Sequence, residues 1–172
     1  LIDRLAEYID AGVHAFKIEG RMKSVYYAAN TARIYRHAAE SAGTTEFEKN
    51  LPFYREELDL VSHRPYTADL FNEFDGDGFG PVPYIRKADF MGYSAGTSPD
   101  GSAFIKTFNP VRLDETLEAI FPLDDPVRDS RFVVKEIRDS EETSVDLARP
   151  NALYRITFDR ELGENAVLRK RL

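Results

Sequence analysis

The chain has 172 residues, the length of one ordinary domain or two small ones. Its 42% hydrophobic and 31% charged residues are typical of a globular protein and exclude wholesale disorder. It has no Cys, which excludes a disulfide framework, a thiol nucleophile and a cysteine-ligated zinc or iron–sulfur centre held by this chain alone. The net charge of −7 argues against a general nucleic-acid-binding surface, although local basic patches such as Arg169-Lys170-Arg171 remain.

The beginning of the chain is an amphipathic α/β unit. Residues 1–11 have helical spacing of apolar residues, and Gly12 offers a left-handed cap. A short strand is predicted from Val13 to Glu19, and a helix from the N-cap Ser24 to about Ala42. A lone strand needs a partner, and the rest of the sequence offers none. Because the chain also opens with Leu1 inside this pattern, we expect a piece of a longer polypeptide.

The middle of the chain, residues 44–83, is interpreted as a linker. It carries a charge of −6 over residues 44–80 and contains a predicted helix near 53–62. Turn-forming dipeptides from Phe74 to Pro81 mark the best domain boundary. The Asp-x-Asp-Gly pattern there lacks the Glu that a calcium loop requires, and the three His of the chain are scattered, so no metal site is predicted.

In the last part of the chain, residues 84–172, apolar and polar residues alternate with a period of two. Six short β-type runs separated by turn residues predict a small antiparallel barrel or sandwich. The fold class predicted for the whole chain is therefore α+β. The six runs are Phe90–Gly96, Ser102–Phe108, Thr116–Phe121, Phe132–Ile137, Leu153–Phe158 and Ala166–Leu172.

Polar residues cluster where the predicted strand ends and the next helix begins. Lys17, Glu19 and Arg21 are candidate catalytic residues, and Lys23 is a candidate substrate-binding residue, because ligands bind beyond the carboxyl ends of parallel strands. Alternation places Lys17 and Glu19 on one face. The alternative is that these charges form a buried or half-buried ion network that holds the loop.

A second cluster runs from Ser62 to Thr67. His63 and Arg64 are candidate substrate-binding residues; the alternative, which the lack of a carboxylate next to His63 favours, is that they cap and anchor the loop. Tyr26, Tyr27 and Tyr35 lie on one predicted helix and are interpreted as packing residues. No apolar run is long enough to cross a bilayer and no signal-peptide pattern is present, so we expect a cytoplasmic protein without a membrane partner.

These motifs together resemble those of one known family. The run from Gly12 to Ser24, containing Lys-Ile-Glu-Gly-Arg, closely resembles the signature of peptidase family U-thirty-two, the collagenase-like peptidases. The segment from His63 to Thr67 is similar to that family's His-Arg-Gly-Tyr-Thr segment, and the β runs from Phe90-Met91-Gly92 onward are similar to its C-terminal barrel. The sequence departs from the pattern at Pro65 and Asp69, where the family has Gly.

The resemblance implies the C-terminal portion of a larger protein. Residues 1–43 would be the last unit of a TIM-like α/β barrel, residues 44–83 a linker, and residues 84–172 a β-barrel domain. Several relatives resemble tRNA hydroxylation factors that make wobble hydroxyuridine from a prephenate-derived input. Cysteines upstream of the motif would hold an iron–sulfur cluster in the parent protein, while this chain would hold no cofactor.

Three functions follow as hypotheses. In the first, the chain is the accessory, substrate- or RNA-binding part of a tRNA hydroxylation protein, with tRNA or the upstream barrel as partner. Alternatively, the parent is a peptidase, although the sequence shows no nucleophile–base pair. In the third, the barrel is a non-catalytic interaction module. A single α/β unit has no closed active site, so the chain alone is expected to be inactive. The sequence leaves the oligomeric state open.

Overall fold

The computed structural model describes residues 1–66, 84–121 and 130–172. Within these ranges a short 3-10 turn, Ile2–Arg4, precedes three α-helices, and the remaining elements are β-strands. The α+β class predicted from the sequence is confirmed. The helices are α1 (Leu5–Asp10), α2 (Val25–Glu40) and α3 (Thr45–Leu60); the strands are β1 (Ala88–Thr97), β2 (Ala103–Thr107), β3 (Val111–Arg112), β4 (Thr116–Ile120), β5 (Arg131–Arg138), β6 (Leu147–Ala148), β7 (Leu153–Phe158) and β8 (Val167–Arg171).

Six of the strands close into an antiparallel barrel in the order β1-β2-β7-β5-β4-β8. All six predicted β runs are present, with boundaries that differ by at most two residues. Alternate side chains point inward and form a buried core, as the period of two requires. The sequence pattern missed β3 and β6, which pair as a two-stranded ribbon beside the barrel. Two-residue strands are too short to show a period.

The N-terminal helices follow their capping signals. Gly12 has a φ of +87°, and the amides of Gly12 and Val13 donate to the carbonyls of Ile9 and Tyr8. This is the paired hydrogen-bond pattern of a glycine-capped helix end. The Ser24 hydroxyl accepts from the Tyr27 amide and begins α2 as predicted.

Two N-terminal predictions are corrected. The strand expected from Val13 to Glu19 is not formed; residues 13–20 belong to no helix or strand because no partner strand is available in the described part of the chain. The linker helix begins at Thr45, well before residue 53. Its start is set by the Thr44 hydroxyl, which accepts from the Phe47 amide, and Pro52 lies inside the helix.

A mixed interface joins the helices to the barrel. Tyr26 of α2 and the end of α3 pack on β1, β4 and β8 in one apolar cluster. The predicted boundaries at residues 43 and 83 stay predictions, and the turn-rich segment from Phe74 to Pro81 lies outside the described residues. No helix in the described ranges is long and apolar enough to cross a membrane.

At the centre of this interface lies a buried ion cluster. Glu57 of α3, whose side chain is 2% exposed, accepts two hydrogen bonds from Arg169 of β8, at 2.6 and 2.7 Å, and one from Arg33 of α2, at 2.7 Å. Arg169 also donates to Glu118 of β4 at 2.8 Å. Burial opposes the charged form of Arg169, but the bonds to Glu57 outweigh it and raise the Arg169 pKa. We call these four residues the Glu57 cluster.

Candidate functional site

Three of the six predicted site residues line a cavity between the 13–20 segment, α2 and the end of α3. The cavity is about 180 Å³, and its walls include Lys17, Glu19 and His63. Three tyrosine rings, Tyr27, Tyr35 and Tyr66, also line it, so we call it the tyrosine cavity. A second cavity of about 520 Å³ adjoins it and shares the rings of Tyr35 and Tyr66. The structure thus brings together parts of both sequence clusters.

Lys17 and Glu19 form an exposed ion pair at the mouth of the tyrosine cavity. Lys17 Nζ lies 2.8 Å from Glu19 Oε1, and the two side chains are 84% and 73% exposed. This exposure excludes a buried ion network for Lys17 and Glu19, because water screens both charges. An exposed pair contributes at most about 1 kcal/mol, so either partner can be drawn to a ligand at low cost.

Lys23 is held more firmly than Lys17. Its Nζ donates to the Ser62 carbonyl at 2.8 Å and lies 4.2 Å from the ring centre of Tyr84 and 5.4 Å from that of Tyr27. The guanidinium of Arg64 lies 5.5 Å from the Tyr84 ring centre. Both contacts are cation–π interactions, which leave the positive charge without a counter-ion. Lys23 and Arg64 therefore come together through Tyr84, which the sequence analysis did not single out.

Arg21 stands apart from the other candidates. Its side chain is exposed, and it forms no ion pair within the described ranges. It belongs to the turn between the 13–20 segment and α2, which is closed by a hydrogen bond from the Lys23 amide to the Gly20 carbonyl. A cation in this position is free to meet an incoming anion.

His63 is buried, and both of its ring nitrogens are used within the chain. Nε2 lies 3.0 Å from Asp59 Oδ1, Nδ1 lies 2.6 Å from the Arg64 carbonyl oxygen, and the ring stacks on Tyr66 with centres 4.1 Å apart. A hydrogen bond from Lys87 holds the pKa of Asp59 below its usual value, and the bond to His63 adds to the shift. This arrangement anchors the loop and supports the wall of the cavity.

We therefore predict that His63→Phe destabilises the protein. The Phe ring can keep the stack on Tyr66, but both hydrogen bonds are lost, and the free energy of unfolding should fall by about 1–3 kcal/mol in urea titrations. Arg64→Ala is the matched control, because that side chain is exposed and should change stability by less than about 0.5 kcal/mol. Equal stability of wild type and His63→Phe would contradict the anchoring role.

The three tyrosines of α2 pack as interpreted, and two of them also line the cavity. Tyr26 is 3% exposed and stacks on Phe90 of the barrel. Tyr27 and Tyr35 each pack against an apolar cluster and line the cavity together with Thr31. The spacing 27, 31, 35 places all three on one helix face and was the available signal. Burial raises the pKa of Tyr35 and of Tyr66, so these two rings stay uncharged at neutral pH.

The described residues contain no group of three or more His, Asp or Glu side chains arranged to hold a metal ion. Thr67, the last residue of the second predicted cluster, and the calcium-like pattern both lie outside the described residues. The assignments of Lys17, Glu19, Arg21, Lys23, His63 and Arg64 to catalysis or substrate binding stay predictions. The geometry supplies an aromatic cavity with Lys17 in its lining and Lys23 beside the Tyr27 ring.

Comparison with known proteins points to one family. The model of peptidase family U32 matches residues 1–77. The chain is 32% identical to tRNA hydroxylation protein P of Escherichia coli over 116 residues, which is 64% of this chain and 25% of that protein. It is 25% identical to tRNA hydroxylation protein P1 of Bacillus subtilis over 178 residues, which is 99% of this chain and 41% of that protein. The chain thus spans less than half the length of these relatives.

Two further similarities were found. The chain is 31% identical over 71 residues to an uncharacterized protease of Methanocaldococcus jannaschii, covering 41% of this chain and 17% of that protein. Among solved structures, it is similar to the C-terminal domain of a U32 peptidase from Geobacillus thermoleovorans, with a TM-score of 0.42, 24% identity, and coverage of 49% of this chain and 93% of that one. The resemblance of the Lys-Ile-Glu-Gly-Arg motif to peptidase family U32 is thus confirmed by the match of the family model to residues 1–77.

Proposed function

We propose that this chain is the C-terminal accessory part of a cytoplasmic tRNA hydroxylation protein. The observation that carries the proposal is the 32% identity over 116 residues to a protein named for tRNA hydroxylation. The similarity to the Bacillus subtilis relative extends over 99% of the chain, so it includes the barrel as well as the helices. The proposed partner is tRNA.

The charges around the tyrosine cavity support this proposal. Although the whole chain carries −7, Lys17 lines the cavity and Lys23 lies 5.4 Å from the ring centre of Tyr27 in its wall. Arg21 and Arg64 are close in the chain to Lys23 and to the wall residue His63, respectively. Cations concentrated on an otherwise acidic protein are suited to a phosphate or carboxylate group. In the proposed role Lys17, Arg21 and Lys23 neutralise such a group, and Glu19 orients Lys17 through their ion pair.

A second proposed partner is the upstream part of the same protein. The 13–20 segment has strand-like alternation but no strand pairing in the described part of the chain. A larger α/β barrel would supply the missing neighbour and bring catalytic groups to the mouth of the cavity. On this proposal the 172 residues alone do not catalyse the reaction.

The iron–sulfur cluster expected for the parent protein does not fit this chain. Such clusters are held mainly by Cys thiolates, and the chain has no Cys. We therefore assign no step of the reaction to a cluster held here. The proposal is that its ligands lie in the upstream part of the parent protein.

Peptidase activity is the second candidate, favoured by the family name and by the protease relative. The environment of His63 weighs against it. Because Asp59 and the Arg64 carbonyl occupy both ring nitrogens, His63 is not placed to activate a hydroxyl nucleophile. Hydrolysis of gelatin by the full-length protein, abolished by Glu19→Ala, would reverse this preference.

The proposed function is tested by deleting the gene that encodes this chain in its source organism and measuring tRNA nucleosides by mass spectrometry. Hydroxylated uridine should disappear from the tRNA and return when the full gene is restored. A gene carrying Arg21→Ala should restore it only in part, whereas Arg36→Ala, an exposed change on α2 away from the cavity lining, should restore it fully. Unchanged hydroxyuridine in the deletion strain would refute the proposal.

A further inference from the structure

The tyrosine cavity has the size of a small planar group. Its 180 Å³ is below the roughly 300–1,000 Å³ of cavities that hold drug-sized ligands. Three of its walls are the rings of Tyr27, Tyr35 and Tyr66, and the Tyr66 residue is 63% exposed although one face of its ring stacks on His63. Aromatic walls of this kind favour a flat ring that can stack on them.

The charged residues near the cavity indicate the charge of the ligand. The carboxylates nearby are already paired: Asp59 with Lys87 and His63, and Glu56 with Arg171. By contrast, three cations have no carboxylate partner within the described ranges, and Lys17 is held only by an exposed pair. The three are Arg21, Lys23 and Arg64. This imbalance favours a ligand that carries several negative charges beside its ring.

We propose that the tyrosine cavity binds one unstacked base of an RNA strand, with the adjacent phosphates lying against Lys17, Lys23 and Arg64. Proteins that bind single-stranded RNA combine aromatic stacking surfaces with cations along the backbone, and enzymes that modify a base first remove it from its stack. The inference rests on the proposed role in tRNA hydroxylation and adds the place where a base is held.

The adjoining cavity extends this binding surface. It shares the Tyr35 and Tyr66 rings and is also lined by Arg55, whose Nε lies 2.5 Å from Asp3 Oδ1 in an exposed pair. Each of the two cavities therefore has a cation in an exposed ion pair in its lining, Lys17 in the first and Arg55 in the second. An RNA backbone crossing from one cavity to the other would meet positive charge at each end, with a base turned inward between them.

The test uses the 172-residue chain and two fluorescein-labelled RNA pentamers, one of five uridines and one with an abasic central position. Fluorescence anisotropy at low salt should show about tenfold tighter binding of the uridine pentamer, since one stacked base is lost in the other. The affinity of both should fall steeply as salt is raised. Equal affinities, or no binding of either pentamer, would overturn the inference.

Variants locate the effect at the cavity. Tyr66→Leu should weaken binding of the uridine pentamer about tenfold and leave the abasic pentamer unchanged, whereas Tyr66→Phe, which keeps the ring, should bind like wild type. Phe108→Leu removes an exposed aromatic ring from the barrel and should have no effect. Urea titration of each variant checks that it is folded. Equal loss with Tyr66→Leu and Tyr66→Phe would show that the ring is not a stacking surface and overturn the inference.

A second pair of variants examines the phosphate contact. Lys17→Ala should weaken both pentamers about equally, and Lys135→Ala, which removes an exposed lysine paired with Asp114 on the barrel, should weaken neither. If Lys17→Ala weakens binding while the wild-type chain binds the uridine and abasic pentamers equally, the site contacts only phosphate, and the inference is overturned. The nucleoside measurement is independent, so hydroxylation that depends on the gene could stand while this base site fails.

Discussion

Replacing Glu57 with Gln is expected to lower the free energy of unfolding by about 3–5 kcal/mol. The Glu57 carboxylate is the shared acceptor of Arg169 and Arg33, and it is almost completely buried. An amide of the same shape removes the negative charge between the two guanidinium groups, so that Arg169 keeps only Glu118 and Arg33 keeps no carboxylate partner among the described residues. Burial lowers the pKa of Arg33, and the Glu57 carboxylate opposes this shift. Without that carboxylate, keeping Arg33 charged in the buried interface costs more free energy.

The matched control is the adjacent residue. Glu56 is also paired with an arginine of β8, Arg171, but its side chain is 57% exposed. Glu56→Gln should therefore change stability by no more than about 1 kcal/mol. Urea titrations followed by far-ultraviolet circular dichroism measure both variants, because the chain has no Trp to report by fluorescence. Similar losses for the two variants would show that burial does not set the strength of the Glu57 cluster.

The Glu57 cluster also shows what sequence patterns could not supply. Its members come from positions 33, 57, 118 and 169, on four elements, and each one alone has the spacing of an exposed charge. Arg169 was noted only as part of a possible basic patch, whereas in the structure it is 3% exposed and joins the barrel to the helices. Contacts between residues more than one hundred positions apart leave no local signal in a single sequence.

Local features, by contrast, were predictable. The six barrel strands follow from alternation, and α2 follows from the Ser24 cap and its apolar stripe. The prediction of a strand at residues 13–19 was wrong. Alternation of apolar and polar residues shows only which face of a strand would be buried, and it does not provide the second strand with which to pair. The predicted start of α3 near residue 53 was wrong, because the Thr44 cap and the burial of Phe47 and Tyr54 begin the helix at Thr45 and carry it through Pro52.

In the candidate site, too, some features could be predicted from the sequence and others could not. The cluster of charges from Lys17 to Lys23 is contiguous in sequence, and so it could be found without a structure. The aromatic walls could not be assigned a role, because Tyr27 and Tyr35 have the same helical spacing whether they face a core or a cavity. The nearness of Tyr84 to Lys23 depends on where the chain returns after the linker. The cavity is therefore a product of the fold.

Gly92→Ala is expected to destabilise the barrel by about 1–3 kcal/mol or more. Gly92 lies in β1, where it pairs with Thr107 of β2 on one side and with Leu168 of β8 on the other. A Cβ atom built there would approach the Lys106 carbonyl oxygen more closely than real Cβ contacts allow, and would lie 3.2 Å from an Ile105 methyl carbon. The obstructing atom is backbone, so β2 must move for the methyl group to fit.

Closure of the barrel makes this movement costly. In an open sheet a displaced edge strand can shift away from its neighbour, but here β2 is also hydrogen-bonded to β7. Moving β2 away from β1 therefore disturbs a second ladder. Amide hydrogen exchange should show lower protection at Lys106 and Thr107, in addition to a lower urea midpoint for the whole protein.

Gly20→Ala is the control for Gly92→Ala. A Cβ at Gly20 would lie 3.0 Å from the Tyr27 ring, which is a side chain and can move to make room. Its effect on unfolding should stay below about 1 kcal/mol, because no strand pairing has to change. Equal losses at the two positions, or unchanged exchange in β2, would mean that the barrel accommodates the methyl group without parting β1 from β2.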